Sequence, residues 1–298
     1  MFNNTNSPSP PRGKSIASLM LTLAFVGLFP LNSHAEHETE PDILDPGPQL
    51  PTYPTNTGTL PQGRAYLEIA PFNYEGGSSS HAGKFYTQFM AHVGATDWLE
   101  FRVFGSGLTW GEGRDSRAAF APLSFSGVVK FWGEQEDMPW LPAFAVETVI
   151  NTQWLGNSDT NSGTNPGFQF AFSKDIPFDT NINISLGPVR SLTQLGTEGH
   201  YDYQYHWDFL FQWALQKDLI DNVLAIYLHG YYNGTVAESI PVEGGYQSSG
   251  LYGINKNVVG GGLIWTITDR VSTFAQISGG TNTDSPAMVS WSGFAVAF

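Results

Sequence analysis

The chain has no cysteine. Disulfide staples are therefore excluded, and so is a lipid anchor, which needs a cysteine. Charge is also scarce. Only 13% of the residues are Asp, Glu, Lys or Arg, about half the share usual in a soluble domain. What charge there is runs one way, with 27 acidic residues against 13 basic ones. Such a balance argues against a nucleic-acid partner, whose phosphates need a basic surface. Apolar runs long enough to form a membrane helix are absent too. The longest, Ile16–Leu31, falls short of about 20 residues and is interrupted by Pro30.

That run reads as a signal peptide. Arg12 and Lys14 precede it, and Ser33-His34-Ala35 follows with small residues where a signal peptidase cuts. Residues 1–35 are expected to be removed after Ala35, which excludes a helical membrane protein for the mature chain. Residues 36–62 are acidic and rich in proline, with no period of 2 or 3.6. They read as a poorly ordered leader, lying either in the periplasm or in the lumen of whatever follows. Residues 63–298 form the folded domain.

From Arg64 onward, segments of about ten residues alternate apolar and polar. Phe85, Thr87, Phe89, Ala91 and Val93 share one face, and Tyr86, Gln88, Met90 and His92 the other. Leu99, Phe101 and Val103 oppose Glu100 and Arg102. Phe144, Val146, Thr148 and Ile150 oppose Glu147 and Asn151. Ile182, Ile184 and Leu186 oppose Asn181, Asn183 and Ser185. A period of 2 means strands, because successive side chains leave opposite faces of the pleat. Twelve strands are expected, over about 64–74, 84–93, 98–110, 121–132, 143–155, 166–173, 180–187, 202–215, 223–232, 257–267, 271–278 and 288–298. Pro71 makes the first ambiguous, because proline donates nothing to a ladder, and this leaves ten or fourteen strands open.

The connections alternate in length. Gly94–Asp97, Ser173–Asp175, Gln216–Asp218 and Thr268–Arg270 are expected as short turns, and 133–141 is the long member of that set. The segments 75–83, 111–119, 156–165, 187–201, 233–255 and 279–287 are longer and rich in Gly, Ser, Asn and Thr. An antiparallel barrel in an outer membrane has this asymmetry, with short periplasmic turns and long outer loops. Lipid leaves backbone N–H and C=O groups unsatisfied, so a sheet with an apolar outer face must close on itself. Tryptophans near strand ends, such as Trp98, Trp132, Trp154 and Trp265, suit the headgroup girdles. The fold class is thus an all-β, closed, antiparallel transmembrane barrel in the bacterial outer membrane, with outer-membrane lipids around it.

The last strand ends in Phe294, Val296 and the terminal Phe298 on one face. This resembles the terminal signal of outer-membrane proteins and implies the barrel assembly machinery as a partner. A longer pattern resembles the outer-membrane family linked to phenol meta-pathway degradation. It comprises Val258–Gly279 (VVGGGLIWTITDRVSTFAQISG), Thr281–Pro286 and the closing strand, with Phe168–Asp179 and Trp213–Tyr232. The resemblance covers most of the chain from about residue 60. It implies a barrel that passes small aromatic or other hydrophobic compounds.

Candidate lumen-lining residues are His92, Glu100, Arg102, Lys130, Glu147, His206, Asp208 and His229. Tight hairpins would set His92 opposite Glu100, Asp208 opposite His229, and Lys130 within reach of Glu147. Such groups either line a pore, where Arg102 and Glu147 would set ion preference, or pair with one another and brace a filled interior. No Gly-x-Ser-x-Gly elbow, His-Glu-x-x-His or calcium-loop pattern occurs. His200, Asp202, His206 and Asp208 are the densest cluster, suiting a weak metal site or, more simply, a hydrated wall. Neither an enzyme nor a cofactor is expected. The reading is a passive channel for small solutes. Its alternatives are a barrel without an open pore that binds a partner through 233–255, and a soluble secreted β-protein.

Overall fold

The computed structural model describes residues 42–298 except 78–82, 113–117, 136, 153, 157–164, 198–199, 238, 243–244 and 249–254. It also leaves out the side chains of 165, 191–206 and 235–248. The expected signal peptide, 1–35, lies outside the described residues. The strands are β1 (Ala65–Glu75), β2 (Lys84–Thr96), β3 (Leu99–Gly105), β4 (Leu108–Gly111), β5 (Ala118–Phe120) and β6 (Ser124–Trp132). Then come β7 (Ala143–Asn151), β8 (Asn165–Ile176), β9 (Thr180–Thr197), β10 (His200–Ile220) and β11 (Leu224–Ala237). A separate hairpin, β12 (Ser239–Val242) with β13 (Gly245–Ser248), follows. The series ends with β14 (Lys256–Thr268), β15 (Val271–Gly280) and β16 (Val289–Ala297).

Each strand of the main sheet pairs antiparallel with its neighbours, and β1 pairs with both β2 and β16. The sheet is therefore a closed barrel. Counting β3 with β4, and β5 with β6, as two broken staves gives the twelve expected. The expected run 98–110 is interrupted, while 121–132 begins later, at Ser124, and is preceded by β5 in the segment expected as a loop. Gly107, at φ 51°, breaks the first, and Pro122 lies between β5 and β6.

The barrel is built inside out relative to a soluble domain. Phe72, Phe101, Phe131, Phe170, Leu228 and Ile277 are exposed on the outside. Glu68, Glu100, Arg102, Glu147, Gln169 and Ser185 are buried inside. In a bilayer each exposed Phe or Leu leaves water, worth about 1.5–3 kcal/mol, so this belt is the driving surface. Trp98, Trp132, Trp140 and Trp265 lie at or near the short-turn end, and Trp154 and Trp207 toward the other.

Pro71 does not break β1. The register shifts between Ile69 and Phe72 against β16, and between Ala70 and Asn73 against β2. A bulge of this kind takes the residue that cannot donate out of the ladder. Asn73 Nδ2 fills the gap by donating to the Ala70 carbonyl at 2.8 Å.

Three turns come later than expected. Gly94–Thr96 stay in β2, Ser173–Asp175 stay in β8, and Gln216–Asp218 stay in β10. The chain reverses instead at Asp97-Trp98, at 177–179 and at 221–223. Phe178, Asp179 and Asn222 adopt positive φ there, at 72°, 51° and 60°. Asp and Asn are the side chains that best tolerate this conformation. The charges of Lys174, Lys217 and Asp218 suggested turns, but the strands continue through them. At the other end, β9, β10 and β11 continue into the segments expected as loops 187–201 and 233–255.

Phe170 lies mid-strand on the lipid face, between Val146 and Leu186. Phe170→Arg is expected to destabilise the barrel by about 2–4 kcal/mol, read from urea titration of protein refolded into lipid vesicles.

Candidate functional site

Residues 42–62 of the leader occupy the barrel's interior. The segment enters at the short-turn end, where the Ile43 N–H donates to the Asp269 carbonyl at 2.7 Å. It returns to the same end, where the Gln62 N–H meets the Asp97 carboxylate at 3.1 Å. Its two legs meet in one apolar cluster, with Ile43 and Leu60 packed beside Tyr66, Ala295 and Ala297. Further in, Leu50 packs with Ala70, Ile264, Phe274 and Trp291. Gly94 lets the returning leg pass, since a Cβ there would sit 2.2 Å from the Pro61 carbonyl oxygen.

Wall carboxylates hold the leader by its backbone. Glu68 is fully buried and accepts the Gln49 and Leu50 N–H groups, each at 2.8 Å. Glu100, also fully buried, accepts the Leu60 N–H at 2.8 Å. Glu147 accepts the Thr55 hydroxyl, and the Thr55 N–H donates to Ser185 Oγ at 3.3 Å. A leader without strand or helix has no ladder to satisfy its own donors, so these acceptors do it.

A histidine and an arginine join the carboxylates. His92 Nε2 lies 2.8 Å from Glu68, and Nδ1 lies 3.0 Å from Glu100. Arg102 Nε donates to Glu100 at 2.6 Å, and Nη1 reaches Glu147 at 3.4 Å. Glu68, His92, Glu100, Arg102 and Glu147 thus form one buried chain of polar contacts across β1, β2, β3 and β7. Each carboxylate in it also binds the leader. The geometry shows these groups in contact with one another and with the leader.

The sequence-derived candidates divide. His92, Glu100, Arg102 and Glu147 come together, although His92 pairs in register with Arg102 and not with Glu100. The later turn shifts the register, and Glu100 reaches the imidazole diagonally. Lys130 pairs with Ala145, whereas Glu147 pairs with Val128. Lys130 forms no ion pair among the described residues, and Glu147 binds Arg102 and Thr55 instead. Asp208 pairs with Thr235 and Val189, while His229 pairs with Ala214. The expected Asp208–His229 pair does not form, because the hairpin turns at 221–223. His206 pairs with Ser191 in the backbone, and its side chain lies outside the described residues. So do those of His200 and Asp202. No group of three metal-ligating side chains occurs among the described residues.

His229 belongs to a second cluster, which the sequence did not point to. Tyr53 of the leader stacks on it at 4.2 Å, with an interplanar angle of 20°. Tyr231 and Trp291 meet the same ring edge-on at 4.8 and 5.4 Å. Glu68, the leader's strongest anchor, was missed as well. Its signal was legible, since Tyr66, Glu68 and Ala70 alternate with Leu67 and Ile69, but Pro71 obscured the strand.

The leader leaves part of the lumen open. A cavity of about 310 Å³ remains between Pro46–Gln49 and the wall of β8–β11 and β14. Asn181, Asn183, Gln216, Asp175 and Asp218 line it.

A closed twelve-stranded barrel, apolar outside and polar inside, with a chain segment seated in its lumen, has the architecture of an outer-membrane β-barrel. No family model and no curated protein matches the chain. Among solved structures it is similar to the COG4313 outer membrane channel from Pseudomonas putida F1, at a TM-score of 0.59 and 10% identity. That match covers 83% of this chain and 99% of the other, and it shows the fold. The translocator domain of the autotransporter NalP from Neisseria meningitidis matches at 0.45 and 12% identity, over 82% and 89% of the two chains. The P. putida toluene transporter TodX matches at 0.35 and 9%, over 78% and 87%. These two scores are too low to carry an argument.

Glu68→Ala is expected to free the leader. It removes two hydrogen bonds to a charged acceptor, each worth about 1.5–3 kcal/mol. Proteinase K should then cut within 42–62 at least tenfold faster while the barrel stays intact. Arg102→Met leaves Glu100 and Glu147 buried without their cation, a loss of about 3–5 kcal/mol, read from the temperature at which heat-modifiable gel mobility is lost.

Proposed function

We propose that the protein is a passive outer-membrane channel for small, hydrophobic or aromatic solutes, with the leader as its gate. The observation that carries this is what fills the lumen. Wall side chains fill a small structural barrel. Here a separate segment does, through groups on its backbone, and it leaves a cavity beside it. A filling made this way can be withdrawn without unfolding a strand. The ring cluster around Tyr53 supports the aromatic cargo. Passage needs no cofactor and no covalent step. Arg102 and Glu147 serve here as the leader's seat, so their charges act on solutes only when it moves. Phe294, Val296 and Phe298 are read as the contact for the barrel assembly machinery.

The buried chain of polar contacts favours a second reading, a permanently braced barrel without a pore. Planar-bilayer recording separates the two. Deleting 42–60 should raise single-channel conductance several-fold over the intact protein; equal conductance selects the braced barrel. Cells lacking the protein should take up a radiolabelled monocyclic aromatic solute more slowly, and equal uptake would remove the proposed cargo.

A further inference from the structure

We propose that Tyr53 is a built-in occupant of a phenol-binding site in the lumen, filling from the leader a place that a free monocyclic phenol takes when the ring leaves. The proposal rests on the channel reading above and names its cargo site. The wall supplies the rings. His229 stacks on Tyr53 at 4.2 Å, and Tyr231 and Trp291 meet it T-shaped at 4.8 and 5.4 Å. One stacked partner and two edge-on partners are the arrangements that aromatic quadrupoles favour. They come from β11 and β16, so the cage belongs to the barrel and does not leave with the leader.

The wall also supplies polar atoms that Tyr53 leaves unused. His229 Nδ1, Trp291 Nε1, Gln276 Nε2 and Asn73 Oδ1 are buried and have no hydrogen-bond partner among the described residues. Their residues are 0%, 7%, 6% and 2% exposed. Register places Asn73 beside Trp291, and Trp291 beside Gln276. Buried polar side-chain atoms are nearly always satisfied, so the unpaired nitrogens of His229 and Trp291, whose rings meet Tyr53, point to a ligand with its own hydroxyl. The Tyr53 hydroxyl makes one long contact, 3.3 Å to Ser278 Oγ. That oxygen already donates to Gln276 Oε1 at 2.6 Å and lies 3.0 Å from His229 Nε2. A ring tethered at Cβ meets the cage without matching its polar atoms, whereas a free phenol can turn and shift to reach them.

Tyr53 sits between two anchors that do not involve its side chain. The Leu50 N–H is held by Glu68, and Thr55 by Glu147. Removing the ring therefore empties the cage without cutting the leader's seat. The probe is 4-methylphenol, the tyrosine side chain cut at Cβ, titrated calorimetrically into the full-length protein. Tyr53→Gly should bind it at least tenfold more tightly than the intact protein. It should prefer it at least tenfold over 4-methylcyclohexanol, which has the same size and hydroxyl but no aromatic face. Adding His229→Leu should abolish the gain. The expectation holds whether or not the leader stays seated, because the rings sit in the wall. Equal affinity in intact and Tyr53→Gly protein, equal affinity for the two probes, or a gain that survives His229→Leu would each overturn the proposal. The channel reading fails separately, through conductance that ignores the leader.

Discussion

The pairing of β1 with β16 is the contact on which the rest of the molecule depends. Tyr66 to Ile69 pair with Ala297 to Phe294, and Phe298 exchanges hydrogen bonds with Ala65 at 2.9 and 3.4 Å. A bilayer offers no water to an open edge, so one unclosed seam would leave two rows of backbone groups unsatisfied. Closure settles which face is which. Once the sheet is a ring, the apolar half of each alternation can face only lipid, and the polar half can face only the lumen. The tolerance of β1 for Pro71 follows from the same constraint. Bulges on both sides of that proline let a strand with a missing donor still bridge β2 and β16.

Closure creates a second requirement. A polar lumen buries carboxylates and cations away from bulk water, and buried charges need partners. Arg102 and His92 meet part of that need. The remaining acceptor capacity of Glu68, Glu100 and Glu147 is taken by the N–H groups and hydroxyl of residues 49–60. The leader, for its part, has proline-rich backbone that no ladder satisfies. Each side completes the other, which is why an irregular acidic segment sits in a defined place. Its own acidity does not oppose this, since the groups offered to the wall are backbone donors and a threonine hydroxyl.

The candidate site was legible as a set of inward positions. His92, Glu100, Arg102, Glu147 and His229 all face the interior, as the alternation of their strands implies. Their partners were not legible, because partners follow register, and register follows the place where each hairpin turns. Reading the turn at Gln216–Asp218, not at 221–223, moved His229 from Ala214 to Asp208. A charged tripeptide such as Gln216–Asp218 can lie inside a strand. A residue at positive φ, such as Asn222, marks where it reverses, and the two differ by several residues here.

Period-2 alternation, the absence of membrane helices and cysteine, and the asymmetry of short and long connections were enough to point to the barrel and its closure, with about twelve strands and ten or fourteen left open. Those features are local, and each acts through one strand or one turn at a time. The leader's position in the lumen was decided only by the tertiary structure. Nothing within 36–62 has a period that would assign it a place, and its acceptors come from β1, β3, β7 and β9, separated by more than a hundred residues of sequence. The same holds for Tyr53 within its rings. A cage assembled from residues 229, 231 and 291 exists only once the sheet has closed and brought β11 and β16 to two sides of the same lumen.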